Sequence, residues 1–314
     1  MVALFALAFS CGDDDGPAAS ADASSDAAER DARGTDARDT GVAEDAHVPA
    51  PLNECNDPAL QRLPCCWEAS NAGRTEKEWA IRSVAIAEPV GIANDVIRTI
   101  LQDGLDDGDR GETDVVWLLR LQADTDTLVT GFGCRDGYRF PFRFSNRGRG
   151  CAGDRPEWAP IELAATIEGD VLRSEAAADV LVVPLPDAGD PPPELRVRHL
   201  RLVSATLTED ATCVGTRVNA RRWAYGEPPS EATGFLTVAD TSAQVLGAAG
   251  GTSLCMFVAG TECIGDERTW PRPPNARCDE TTCTDGCDPS AEPAGTCNAW
   301  RFAAAFAASG VEIE

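Results

Sequence analysis

Trp300-Arg-Phe-Ala-Ala-Ala-Phe306 carries a plain period-two pattern. Trp300, Phe302, Ala304 and Phe306 recur at every second position, so in an extended chain they share one face. The same residues could also form an Ala-rich helix, which is the competing reading. A second stretch, Tyr138-Arg-Phe-Pro-Phe-Arg-Phe144, alternates more strictly. Its four aromatics lie on one face and Arg139 and Arg143 on the other, with Pro141 suggesting an edge or a bulge. Aromatics packed into a core and an aromatic ligand-binding face both fit that pattern.

Working outward, residues 81–88, 114–122 and 126–133 read as strands, the second carrying Val115-Val-Trp-Leu-Leu119 as if buried on both faces. Further strands are predicted over 161–168, 170–175, 179–185, 195–209 and 212–218. Ile92, Ala93, Val96, Ile97, Ile100, Leu101 and Leu105 have helical spacing and one apolar face. A second helical region is predicted over 236–248 and 252–259. Residues 260–297 are dense in cysteine and irregular. The fold class expected is α+β and β-dominated: an antiparallel sheet or sandwich with one or two packed helices, stapled by disulfides.

The other end of the chain is organised differently. Val2-Ala3-Leu4-Phe5-Ala6-Leu7-Ala8-Phe9-Ser10 is apolar and stops at Cys11, followed at once by Gly12-Asp13-Asp14-Asp15. The run is far shorter than the ~20 apolar residues that span a bilayer. It suits the core of an export signal and resembles the lipobox of bacterial lipoproteins, in which the cysteine thiol is acylated and becomes the new N-terminus. Residues 1–11 are therefore read as a lipoprotein signal ending at an acylated Cys11. An ordinary secretory signal with an incidental cysteine is the alternative. No Lys or Arg precedes Cys11, so a basic leading region is expected from a start further upstream.

Residues 12–50 are nearly all Ala, Asp, Ser, Gly and Arg, with Arg30, Arg33 and Arg38 set against many acids. Such a tract cannot bury enough apolar area to offset its ordering entropy, which predicts a disordered acidic linker. Its reach is on the order of 35 Å, enough to hold a domain off a membrane. Residues 51–314 are then a single β-rich domain. The chain carries 52 acidic and 27 basic side chains, a net charge of −25. That argues against nucleic acid and anionic lipid surfaces as partners. Lys77 is the only lysine.

Beyond Cys11 there are twelve cysteines: Cys55, Cys65, Cys66, Cys134, Cys151, Cys213, Cys255, Cys263, Cys278, Cys283, Cys287 and Cys297. An even number in an exported chain points to disulfides. Zinc at Cys278, Cys283, Cys287 and Cys297 is disfavoured, because no CxxC pair occurs and His47 and His199 are the only imidazoles. Cys134–Cys151 is the pairing expected, since the two bracket an apparent hairpin. Adjacent Cys65 and Cys66 are expected to bond to different partners.

Catalytic motifs are missing from the sequence: there is no GxSxG, HExxH, P-loop or GxGxxG. Gly131-Phe-Gly133 lies between strands and misses the dinucleotide spacing. His199 sits among arginines in an alternating strand, where packing or exposure is the ordinary role. The best metal candidate is the acidic turn holding Asp103, Asp106, Asp107 and Asp109. Calcium needs several oxygens on a short Gly-bent loop, but the EF-hand pattern fails here, and a solvated turn is the competing reading.

Three features together resemble uncharacterised disulfide-rich envelope lipoproteins of myxobacteria and related bacteria: the amphipathic helix, the acidic Gly-rich turn and Val115-Val-Trp-Leu-Leu-Arg-Leu121. The late segment Trp270-Pro-Arg-Pro-Pro-Asn-Ala-Arg-Cys278, with Cys283, Cys287 and Cys297-Asn-Ala-Trp300, adds to the likeness. The resemblance covers about residues 80–308 and implies no site. The reading that follows is a non-enzymatic cell-envelope lipoprotein, a binding or structural module on the cell surface or in the periplasm. It would be tethered to the outer membrane or on the periplasmic face, need no cofactor, and have an unidentified protein or small molecule as partner. Two alternatives stand beside it: a carrier of an apolar ligand in a curved-sheet cavity, and a hydrolase built on scattered carboxylates.

Overall fold

The computed structural model describes residues 69–93, 116–134, 141–144, 158–185, 193–219, 222–247 and 250–314. Half of these residues are strand and 8% are helix. In chain order the strands are β1 (Glu76–Glu88), β2 (Val116–Gln122), β3 (Thr127–Cys134), β4 (Arg143–Phe144), β5 (Ile161–Glu168), β6 (Val171–Ser174), β7 (Leu181–Pro184), β8 (Glu194–Thr206), β9 (Cys213–Val214), β10 (Thr216–Asn219), β11 (Arg222–Ala224) and β12 (Glu231–Thr237). Helix α1 (Val238–Ser242) follows, then β13 (Val245–Leu246), β14 (Thr252–Ser253), helix α2 (Leu254–Ala259), β15 (Ala276–Cys278), β16 (Cys283–Asp285) and β17 (Ala299–Gly310).

Eight of these strands close on themselves. The order is β1-β2-β3-β5-β6-β8-β12-β17, and β17 pairs back onto β1. Every pairing on this path is antiparallel. The closing ladder runs from Trp79 opposite Gly310 to Glu88 opposite Ala303, with register shifts between Ile81 and Ser83 and between Ile86 and Glu88. Such irregularities bend a strand and raise its twist, which closure requires. A closed sheet leaves no edge among its eight strands to recruit another chain.

Alternation sorts each strand into an inward and an outward set. Trp300, Phe302, Ala304, Phe306 and Ala308 of β17 join Trp79, Ile81, Trp117, Leu119, Leu128, Leu163, Leu172, Leu202 and Leu236 in one buried cluster. An eight-stranded barrel is narrow enough for its side chains to pack across it, and here the inward residues form one buried cluster. The Trp117 indole N–H donates to Thr130 Oγ1 at 2.8 Å, and Thr130 donates on to the Leu118 carbonyl at 3.3 Å. That satisfies the one polar handle an interior tryptophan brings. The Trp117 ring meets Phe132 with centroids 5.8 Å apart.

The expected α+β sheet or sandwich with packed helices is therefore replaced by a closed antiparallel barrel with two short helices among the described residues. Period two in β17 identifies two faces but says nothing of its two edges. Both edges are paired, one by β12 and one by β1, and β1 lies more than 200 residues away in the sequence. The predicted helical region over 236–248 and 252–259 breaks into α1, the β13–β14 hairpin and α2. Gly250 and Gly251, with φ of 71° and 80°, make the turn of that hairpin, a conformation open to glycine at little cost. Thr237 and Ser253 cap the two helices, each accepting the backbone N–H three residues on. Of the predicted helix over 92–105, only Ile92 and Ala93 are described, in a turn where both N–H groups donate to the Pro89 carbonyl.

Outside the barrel, Phe142 and the C-terminal residues cover β1 and β2. Phe142 bridges Ile313 in parallel, and Ala80, Val116, Leu118, Phe142, Val311 and Ile313 form a second apolar cluster. The aromatics of the 138–144 stretch that are described thus pack: Phe142 is buried, and Phe144 packs against this cluster. Tyr138 and Phe140 lie outside the described residues.

Candidate functional site: a cleft at one mouth of the barrel

At the end where β1 starts and the β5–β6 and β8–β9 connections turn, a cleft of 380 Å³ opens. Ala72, Gly73 and Lys77 line one side, Ile167, Gly169 and Asp170 another, and Leu207 to Ala211 the third. Barrel mouths are a common place for ligands, and this volume lies within the small-molecule range.

Local sequence builds each wall. Glu168 pairs with Val171, so Gly169-Asp170 is a two-residue hairpin turn, and Gly169 takes the positive φ of 66° that such turns require of the first position. The Asp170 carbonyl accepts the Leu207 N–H at 2.7 Å. The third wall is ordered by Asp210. Its carboxylate accepts Thr208 Oγ1 at 2.7 Å, the Thr212 N–H at 3.0 Å and Thr212 Oγ1 at 2.7 Å. Burial works against this charge, but the Thr208 and Thr212 hydrogen bonds outweigh it and hold the carboxyl below its ordinary pKa. The neighbouring Ala211 carbonyl accepts both the Trp79 indole N–H at 3.0 Å and Asn71 Nδ2 at 3.1 Å, which ties this wall to the barrel interior.

Lys77 is the cation of the cleft. Its ammonium donates to the Asn71 carbonyl at 2.9 Å and the Arg74 carbonyl at 2.7 Å. Among the described residues two of its three N–H donors are thereby used. Asp170, Glu209 and Asp210 make the lining acidic on balance. In the sequence, Lys77 stands out only as the lone lysine. The Thr208-Glu-Asp-Ala-Thr212 spacing is the local signal that could have exposed this loop, because a short acid flanked by hydroxyls closes on itself.

On the strand that starts beside the cleft, a buried carboxylate gathers two partly exposed arginines. Glu78, 1% exposed, accepts Arg120 Nε at 2.8 Å, Arg74 Nη2 and the Ile313 N–H at 3.1 Å. Arg120 also donates to the Ile313 carbonyl. This arrangement locks the C-terminal residues onto β1 and β2, and every donor around the carboxylate is spoken for by structure.

The residues singled out from sequence are not brought together. His199 sits in β8 with φ of 49°, where Thr233 and Phe235 face Arg201 and Arg198 across a register shift. Opposite, a side chain at Gly234 would meet Val197 Cγ1 at 2.6 Å, so β8 bulges against a residue that has none. Among the described residues no hydrogen bond or ion pair reaches the His199 imidazole. Cys255–Cys263, Cys278–Cys283 and Cys287–Cys297 are disulfides, and Cys213 is disulfide-bonded as well. The four cysteines weighed as zinc ligands are thus two covalent pairs. Among the described residues no His, Cys, Asp or Glu group is arranged to hold a metal ion. Cys11, Cys55, Cys65, Cys66, Cys151, Asp103, Asp106, Asp107 and Asp109 lie outside the described residues, and with Cys151 the expected Cys134–Cys151 pair does too.

What the cleft offers chemically is shape, an apolar floor from Ile167 and Leu207, and fixed charges. A carboxyl acting as general acid needs a raised pKa, whereas that of Asp210 is lowered and its oxygens are occupied. Compared with protein-family models, with curated proteins and with solved structures, the chain has no match.

Proposed function

We propose that this chain is a non-enzymatic binding module of a bacterial cell envelope, related to the disulfide-rich lipoproteins it resembles. Cys11 carries the lipid, residues 12–50 act as spacer, and the barrel mouth beside Lys77 receives the ligand. The observation that carries the reading is the lined cleft at the mouth of a barrel whose inward residues form one buried cluster. A ligand of the mouth is neutral or cationic, given the acids around it and the net charge of −25.

Two measurements test this. Fatty-acid labelling and membrane fractionation of a full-length chain should show a lipidated, membrane-bound protein, and Cys11→Ser should release it, because the acylated residue supplies the membrane affinity. Membrane association that survives Cys11→Ser overturns the anchor. A fragment screen by NMR should concentrate amide shifts at Gly73, Lys77, Gly169 and Leu207, and Ile167→Arg should abolish them. Shifts scattered elsewhere overturn the mouth as the site.

A further inference from the structure

The three local disulfides differ in one respect that bears on chemistry. Cys255 Sγ, fully buried, has two hydroxyls near it: Thr241 Oγ1 at 3.5 Å and Ser242 Oγ at 3.7 Å. At present both hydroxyls have nearer acceptors. Thr241 faces the Thr237 and Val238 carbonyls at 3.0 and 3.1 Å, and Ser242 the Val238 carbonyl at 2.7 Å. A neutral disulfide sulfur competes poorly for those protons. A thiolate in the same place would compete well, because hydrogen bonds to an ionised acceptor are about twice as strong. Its partner Cys263 is half-buried between exposed Glu262 and Ile264, and stands in the left-handed region with φ of 57°. Such a conformation in a non-glycine residue persists only while its surroundings hold it. Among the described residues, no hydroxyl lies within hydrogen-bond range of the sulfurs in Cys278–Cys283 or Cys287–Cys297.

We propose that Cys255–Cys263 is a site of thiol–disulfide exchange, attacked at Cys263 by a small cationic or neutral thiol, with Cys255 as the leaving group. The incoming thiolate sulfur bonds to Cys263 Sγ as the Cys263–Cys255 bond breaks. The bonding electron pair leaves on Cys255 Sγ, where the Thr241 and Ser242 hydroxyls turn to meet it. A second thiolate then attacks the outer sulfur of the mixed disulfide and displaces Cys263 as a thiolate. Two small thiols end as one disulfide, and their two protons pass to Cys255 and Cys263. The leaving thiol governs the rate as much as the attacker does, and a better stabilised leaving thiolate departs faster. The Glu262 carboxylate beside the point of attack favours a cationic reagent over an anionic one.

The experiment uses the intact, folded chain and cysteamine as the thiol. Samples are quenched with an alkylating reagent at intervals and the cysteines mapped by mass spectrometry. The expected first products carry cysteamine on Cys263 and the alkyl group on Cys255, while the other two pairs are still closed. Ser242→Ala, at an exposed position, should slow this step several-fold, and adding Thr241→Val should slow it about tenfold. Thr241→Ser, which keeps the hydroxyl, should restore most of the rate. The proposal fails if cysteamine appears first on Cys255, or if another of the three pairs opens as fast. It also fails if Ser242→Ala, with its circular dichroism unchanged, exchanges at the parent rate.

Discussion

The barrel and the segment from Cys255 to Cys297 are held by opposite means. In the barrel, the strands of the seam are distant in sequence: Trp79 faces Gly310, and Phe302 faces Gly234. Its cohesion comes from apolar burial and a closed antiparallel ladder interrupted by a few register shifts. In the segment, the disulfides join cysteines 8, 5 and 10 residues apart. Its turns are ordered by acids that accept neighbouring N–H groups, as Asp279 does from Thr281 and Thr282, both at 2.8 Å, and Asp288 from Ser290 at 2.9 Å. Between residues 277 and 296 most of its side chains are exposed, and covalent staples supplement the core that Cys255, Val258 and Trp270 share with the barrel. The difference teaches where damage should spread and where it should stay local.

The largest effect should come from the barrel interior. Phe306→Ala leaves a void in the buried cluster of the barrel and should cost about 3–5 kcal/mol in denaturant unfolding. A cost below about 1 kcal/mol would mean that the interior does not hold the barrel. Next is the buried acid. Glu78→Ala strips Arg120, Arg74 and the Ile313 N–H of their acceptor and should cost about 2–4 kcal/mol. Hydrogen exchange should quicken at Ile313 and Glu314 before it does in β3 or β5. Uniform loss of protection would show that the C-terminal residues are not a separate unit.

Smaller effects belong to the stapled segment. Replacing Cys278 and Cys283 by serine together removes a short closed loop and should cost about 2 kcal/mol or less, with tryptophan fluorescence of the barrel unchanged. A collapse of the barrel signal would erase the contrast between the two regions. The smallest effect is one of pH. Hydrogen bonds from the Thr281 and Thr282 backbone and the Thr282 hydroxyl lower the Asp279 carboxyl from 3.8 to about 2. A lowered carboxyl stabilises the fold above its ordinary pKa, and that contribution is lost as pH falls from about 4 to about 2. Carboxyl chemical shifts should show Asp279 titrating last among the acids of this segment, and a midpoint near 4 would remove the turn from the account.

Much was legible locally. The alternation of Trp300 to Phe306 marks a strand with one inward face, and β17 is that strand. The strand predicted over 161–168 has the bounds of β5. The run from Glu231 to Thr237 escaped, because Gly234 and flanking threonines blur its alternation, yet as β12 it is one of the eight barrel strands. The helical region after it was misplaced for a related reason. Residues 238–242 and 254–259 do have helical spacing, but the glycines between them had more weight than the apolar count. Of the candidate site, only the composition was visible: a lone lysine and a Thr-rich acidic loop carry no sign of being neighbours.

From local pattern come the inward face of β17, the bounds of β5 and the abundance of cysteines, because each depends on residues within a strand of one another or on composition alone. Tertiary structure alone decided that the sheet closes, that β1 and β17 are its seam, and that Lys77, Asp170 and Asp210 meet around one cleft. Those outcomes turn on which strand edges find each other across two hundred residues. Residue periodicity specifies faces and not edges, so no local pattern could carry that information.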